Sequence, residues 1–218
     1  MVIIQLLPAA ALASLQVVGI VWLATAVWFA VRRAGTPRDK LWHFARTLLP
    51  EPWMLLGLTV LIVIMNLLPG GIWETTTWTN PALAEVGSVF VIGSAALMVW
   101  ARLALGTMWA GRPMIQQEHE LRTGGPYQVV RHPIYTGILG VMTGRMLMAG
   151  FGATVVTFVF ILGWLLWRVR EEDRILIDTF GDRYRSYQQE VGALIPIPRR
   201  DQVRPRSELR KSPPSQPI

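Results

Sequence analysis

The chain has 218 residues, 52% of them hydrophobic and only 16% charged, with ten Trp, no Cys and a formal net charge of +7. A charge content well below the roughly 25% of soluble domains, with a mean hydropathy of +0.37, argues against a soluble globule, a disordered protein and a disulfide scaffold. The absence of Cys removes thiolate metal sites, iron–sulfur clusters and Cys nucleophiles, and a basic balance in so apolar a chain points to a membrane and not to nucleic acid.

The first element is an uncharged run from Met1 to Val31, read as a membrane helix near 11–31. No positive segment precedes it, which argues against a signal peptide. The charge-free stretch Trp53–Trp73 supplies a second span near 53–69, and Val86–Gly111, with Arg102 as its one charge, a third near 86–105. A shorter fourth span covers about 134–149 and carries Arg145, which can snorkel or pair at the outer end. The uncharged run Met146–Trp167 contributes to a fifth near 152–169. Each span approaches the roughly 20 apolar residues that a bilayer core requires.

The loops orient these spans. Arg32, Arg33, Arg38, Lys40 and Arg46 follow the first helix, whereas loop 70–85 holds Glu74 and Glu85 and no base. Loop 106–133 carries Arg112, Arg122 and Arg131, and the segment from Arg168 onward holds most of the remaining bases. The positive-inside rule then places loops 1 and 3 and the tail in the cytoplasm and the N-terminus outside. Five spans satisfy all these assignments, while four would leave the basic tail outside. No internal repeat suggests an inverted-repeat transporter.

Past the fifth span, residues 168–191 mix charges with Ile175, Leu176, Ile177, Phe180, Tyr184 and Tyr187. This spacing predicts an amphipathic helix at the interface, interrupted near Gly181 and ended by Pro196 and Pro198. Residues 199–218, rich in Pro, Ser and Arg, read as a disordered basic tail.

The densest polar cluster is 116–137. Gly124-Gly125-Pro126 reads as a turn. His132-Pro133 reads as a helix start, because Pro at the first helical position lacks only a hydrogen that would be unpaired anyway. Arg131 taken alone is an interfacial basic anchor, and a lone His is by default a packed or capping residue. With three His in all and no HxxxH or HxxE pairing, a metal site is not expected. Arg168 and Glu172 stand four apart, which suits either a salt-bridged helix end or an ionisable cluster opening toward a cytoplasmic pocket. Phosphate loops of the GxGxxG and GxxxxGK[ST] types and a GxSxG elbow are absent, so a soluble-type Rossmann site is ruled out.

Gly125-Pro126-Tyr127, Arg131-His132-Pro133-Ile134-Tyr135-Thr136-Gly137, Arg168, Glu171-Glu172, Phe180-Gly181-Asp182-Arg183-Tyr184-Arg185-Ser186-Tyr187 and Ile195-Pro196 occur in an order and spacing that resemble the isoprenylcysteine carboxyl methyltransferase family. The related phospholipid methyltransferases share much of the pattern. The resemblance covers roughly 105–198 and does not extend to the first two helices or the tail. It implies an all-α integral-membrane enzyme that uses S-adenosyl-L-methionine without a Rossmann fold and takes a lipophilic or prenylated-cysteine-like acceptor from among the membrane lipids. It divides the chain into N-terminal membrane helices (1–105), a methyltransferase core (106–198) and the tail (199–218).

By the same resemblance, Gln116 and His119-Glu120-Leu121-Arg122 match the first cofactor segment. Tyr127 matches a cofactor-contacting tyrosine, and His132-Pro133-Ile134-Tyr135 the central segment. Glu172, with Glu171 beside it, matches a cofactor-binding glutamate, and Arg168 an arginine assigned to substrate. The Gln116 match depends on where a gap is placed, and Gly124 stands where the family commonly has Ser.

A carboxylate acceptor needs no general base, metal or covalent intermediate, only alignment and exclusion of water. Arg168 can hold an anionic acceptor by a planar two-point contact. An amine acceptor must first lose a proton, which would give His132 a catalytic base role. The expected activity is carboxyl O-methylation at the cytoplasmic face of the cell (inner) membrane. The alternatives are phospholipid N-methylation, an NADPH-dependent membrane reductase with a distantly similar C-terminal arrangement, and a non-enzymatic protein whose tail binds anionic lipid.

Overall fold

The computed structural model describes residues 2–32, 52–68, 72–73, 77, 80–105 and 121–197. Helices stand at all five expected span positions: α1 (Val2–Arg32), α2 (Pro52–Leu67), α3 (Pro81–Leu105), α4 (Pro133–Ala149) and α5 (Gly152–Phe180). A short 3-10 turn (Gly125–Gln128) precedes α4, and α6 (Asp182–Glu190) follows α5. The fold is therefore all-helical among the described residues.

Three helices, Leu7–Trp28 within α1, α3 and α5, are long and apolar enough to cross a bilayer, and Met54–Leu67 is a shorter apolar helix. With 17 residues, α4 reaches about 25 Å at 1.5 Å per residue, short of a hydrocarbon core of roughly 30 Å. Its Arg145 is exposed. Leu12, Ile20, Leu56, Ile62, Val89 and Val159 are exposed on helix surfaces, as apolar side chains facing lipid would be.

Three expected boundaries differ, the smallest change being the start of α3 at Pro81 and not near 86. The first helix begins at Val2 and runs through Pro8. More consequentially, α5 does not end at residue 169 but continues unbroken to Phe180. No Gly or Pro interrupts 164–180, and the Arg168–Glu172 pair supports the helix across the apolar-to-charged transition. The first half of the expected interfacial helix is thus an extension of α5. The break comes at Gly181, whose φ of +54° and ψ of −129° favour glycine strongly.

The most extensive packing is between α3 and α4, with α1 on the same α3 and α2 touching α5. Small residues permit the close approach. A Cβ at Gly144 would lie 2.5 Å from the Gly87 carbonyl oxygen and 2.7 Å from Val91 Cγ2. Gly137 and Gly140 face Met98 and Ser94 of the same helix, and Ser88, Val91 and Ala95 are buried there. Backbone thus meets backbone where lipid-facing leucines would hold the helices apart. The loop bases at 33–46, Glu74, and the tail 199–218 lie outside the described residues.

Gly144→Ala is expected to destabilise the detergent-solubilised chain by about 1–3 kcal/mol through overpacking. Gly163→Ala, where a Cβ meets nothing within 4 Å, serves as the neutral control. Equal thermal unfolding midpoints for the two variants would remove the close α3–α4 seam as a source of stability.

Candidate active site

The chain enters α4 through an extended stretch clipped to the C-terminal segment. Val130 pairs with Gly192 in a parallel bridge, the Arg131 N–H donates to the Gly192 carbonyl at 2.8 Å and the His132 N–H to that of Ala193 at 3.0 Å. The Thr136 hydroxyl donates to the Leu194 carbonyl at 2.9 Å. This clip brings residues 191–195 over the start of α4 and delivers two cationic side chains to the charged extension of α5.

There, Asp173 and Glu172 divide the work. The Arg131 Nη2 donates to Asp173 Oδ2 at 2.9 Å, and its Nη1 caps the end of α6 by donating to the carbonyls of Gln188 (3.1 Å) and Val191 (2.5 Å). His132 lies between both acids, with Nε2 3.0 Å from Asp173 Oδ1 and Nδ1 3.3 Å from Glu172 Oε2. The hydroxyl of Tyr184 donates to Asp173 and that of Tyr135 to Glu172. Arg168 completes the set, its Nη2 3.1 Å from Glu172 Oε1 and its Nε donating to the Tyr135 hydroxyl oxygen at 3.4 Å. The His132 ring stacks on Tyr135 with centroids 5.6 Å apart.

Ionised carboxylates only accept hydrogen bonds, so two of them on the two ring nitrogens require a proton on each. This placement favours the doubly protonated ring. Burial by itself would lower its pKa, but the hydrogen bonds to Asp173 and Glu172 outweigh burial and hold it above the ordinary 6.5. Burial also raises Tyr127 and Tyr184 above the usual phenol range and pushes Tyr187 up to about 12. These hydroxyls therefore stay neutral donors. Tyr187 donates to the Tyr127 carbonyl, and Tyr127 to the Ala101 carbonyl at 3.4 Å, which links α6, the 3-10 turn and α3. Beside that contact Arg102 is fully buried in the last turn of α3, where a cation suits the helix dipole.

Of the residues expected at a site, the structure thus joins His132, Tyr135, Arg168 and Glu172 directly, and Tyr127 through Tyr187, whose ring packs edge-on against Tyr184. Pro133 is buried and Ile134 half-buried in the first turn of α4. Leu121 is half-buried and Arg122 exposed, Glu171 makes none of the contacts above, and Gln116, His119 and Glu120 lie outside the described residues. Asp173 is the residue that sequence reasoning missed. Its signal was available: one residue past Glu172 it turns about 100° around the helix, toward a second acceptor position that a buried Arg131-His132 pair demands.

Residues 86–178 match the model of the isoprenylcysteine carboxyl methyltransferase (ICMT) family. A methanethiol S-methyltransferase of Pseudomonas deceptionensis is 27% identical over 192 residues, covering 79% of this chain and 71% of that protein. The protein-S-isoprenylcysteine O-methyltransferase of Schizosaccharomyces pombe is 32% identical over 82 residues, covering 37% of this chain and 35% of that one. In fold, the chain resembles the solved structure of the eukaryotic intramembrane Ras methyltransferase ICMT with a TM-score of 0.54 at 20% identity, over 73% of this chain and 63% of the other. The resemblance seen in the motifs is thus shared by the family model, by named methyltransferases and by the fold, and the whole cluster from Tyr127 to Asp173 falls inside the matched segment.

Because His132 has its pKa raised on folding, its contribution to stability is complete below about pH 6.5 and is lost as pH rises through the raised value. The thermal midpoint should fall across that window. Asp173→Asn should cost about 3 kcal/mol, as expected for a broken buried ion pair, and move the fall to lower pH. A midpoint flat from pH 6 upward would show that His132 is not held charged.

Proposed function

With residues 86–178 as a methyltransferase-family segment, we propose that the chain is an integral-membrane, S-adenosyl-L-methionine-dependent methyltransferase. It acts on the carboxylate of a small lipophilic or isoprenylcysteine-like acceptor. The proposed topology has five spans, with the N-terminus outside and the site at the cytoplasmic face of the cell (inner) membrane. The three-part division at residues 105 and 198 is kept, with α4 completing the span count.

The cluster fits such a cofactor in kind: it offers a carboxylate, guanidinium groups and stacked aromatic rings within one assembly. Glu172, whose side chain is 23% exposed, would hold a cationic part. Tyr127, Tyr135, the Pro133-Ile134 turn and Glu171 would line the same site, together with Gln116, His119, Glu120, Leu121 and Arg122 of the preceding segment. When bound, the cofactor supplies an already activated methyl group on a sulfonium. The chain's own task is then to hold the acceptor in line and keep water out.

The choice of acceptor class rests on one observation: both nitrogens of His132 face carboxylates. A doubly protonated imidazole cannot take a proton, and Asp173 and Glu172 each already receive several donors. An acceptor that arrives as an anion needs no base, whereas an alkylammonium does. This favours a carboxylate over a phospholipid amine, with Arg168 binding the acceptor and His132 positioning Glu172. A thiol acceptor is the second reading, favoured by the methanethiol S-methyltransferase similar over 192 residues, because a thiolate also reacts without a base once ionised.

Incubating the full chain with methyl-labelled cofactor and a lipophilic carboxylate, a small thiol or phosphatidylethanolamine separates the readings. Label in a base-labile ester is the expected outcome, label in a thioether supports the second reading, and label in a choline-type lipid would overturn both. Arg168→Lys, which keeps charge but loses the planar fork, should raise the acceptor KM at least tenfold with little change in cofactor Kd. Glu172→Ala should weaken cofactor binding, and unchanged binding there would reassign the site.

A further inference from the structure

The indole Nε1 of Trp164 is a buried donor with no hydrogen-bond partner among the described residues. Buried Trp N–H groups ordinarily find an acceptor, and one left without calls for a reason such as an absent ligand. Its surroundings supply one. The Arg168 guanidinium carbon lies 5.9 Å from the centroid of the Trp164 ring, a cation–π contact. Trp164, Arg168 and Glu172 follow at intervals of four on one face of α5, each about 6 Å further along the axis. Met146–Trp167 carries no charge, so Trp164 sits on the apolar side of Arg168 and Glu172 on the polar side. The face therefore runs from apolar through cationic to anionic.

We propose that the Trp164 indole N–H and the Arg168 guanidinium together receive the anionic head of a lipophilic acceptor, which makes Trp164 a specificity-determining residue. The inference rests on Arg168 being the acceptor arginine. An amphiphile laid along this face has its tail beside the uncharged turns of α5, its head between Trp164 and Arg168, and the cofactor region at Glu172 one turn beyond. The indole N–H completes a second hydrogen bond to the anion that an arginine alone leaves to chance. A cofactor carboxylate is the other possible source of such an anion, but it belongs with the polar groups at Glu172 and beyond, not with the turn below Arg168.

The test uses the full chain in lipid nanodiscs with 15N-indole-labelled Trp. The Trp164 cross-peak is the one missing in Trp164→Phe, or in Trp164→Tyr should the first variant not fold. It is expected to move downfield on titration with octanoate and to stay in place with octanol or with S-adenosylhomocysteine alone. No shift with octanoate, or a shift with S-adenosylhomocysteine alone, overturns the proposal. In turnover, Trp164→Phe keeps the ring and loses the N–H. It should raise the KM for octanoate roughly tenfold, about 1.4 kcal/mol, with kcat, cofactor Kd and thermal midpoint unchanged. An unaltered KM also overturns it. A wild-type chain that forms no methyl ester yet shows the octanoate shift would refute the carboxyl-methylation reading and leave the anion site standing.

Discussion

Arg131 and His132 bring two positive charges to the start of α4, where their side chains are 10% and 6% exposed. Charges so placed are costly unless paired and hydrogen-bonded, and the structure meets most of that demand, leaving the buried Arg131 Nε without a partner among the described residues. Everything around the site follows from meeting that demand. The acids come from α5, which must therefore run on as a rigid helix past the end of its apolar stretch. The remaining donors and acceptors come from the far side: the Tyr184 hydroxyl and the carbonyls of Gln188 and Val191 can reach only if α6 folds back across the site. Gly181 permits that reversal, and the bridge between Val130 and Gly192 holds it.

The two halves of the chain are stabilised by different physics. Between α3 and α4 the seam is built on glycine, serine and alanine with Val91 and Met98 packed against them, and its strength is close van der Waals contact, since lipid offers no hydrophobic drive to bring helices together. At the end of α5, ion pairs and tyrosine hydroxyls take over, in a setting partly screened from water. The small-residue seam sets where α4 stands, and α4 in turn sets where His132 and Tyr135 enter the site. A shift in that packing would displace the charges as a unit.

The same pairing of charges that makes the cluster stable restricts its chemistry. A site with an imidazolium between two carboxylates is a poor acid–base machine and a good scaffold. Its polar groups are arranged to hold and orient, so under the proposed function the reactivity is left to an activated methyl group and an already ionised acceptor. Arg168 stands at the junction, bonded to Glu172 on the polar side and stacked near Trp164 on the apolar side.

Hydrophobic runs and charge placement located all five helices, the turn at Gly124–Pro126, the start of α4 at Pro133 and the break at Gly181, because these features depend on local composition and on single residues with restricted backbones. The motif order likewise marked His132, Tyr135, Arg168 and Glu172. What could not be read locally was the length of α5 and the partner of the basic pair. Glu171 and Glu172 looked alike as neighbours, yet successive helical residues point about 100° apart, so only the docking of α4 and α6 against α5 selected Glu172 and Asp173 and left Glu171 aside. Composition and order determined which groups were available; the angle at which three separate segments meet decided which of them share a proton, an ion pair or an unsatisfied donor.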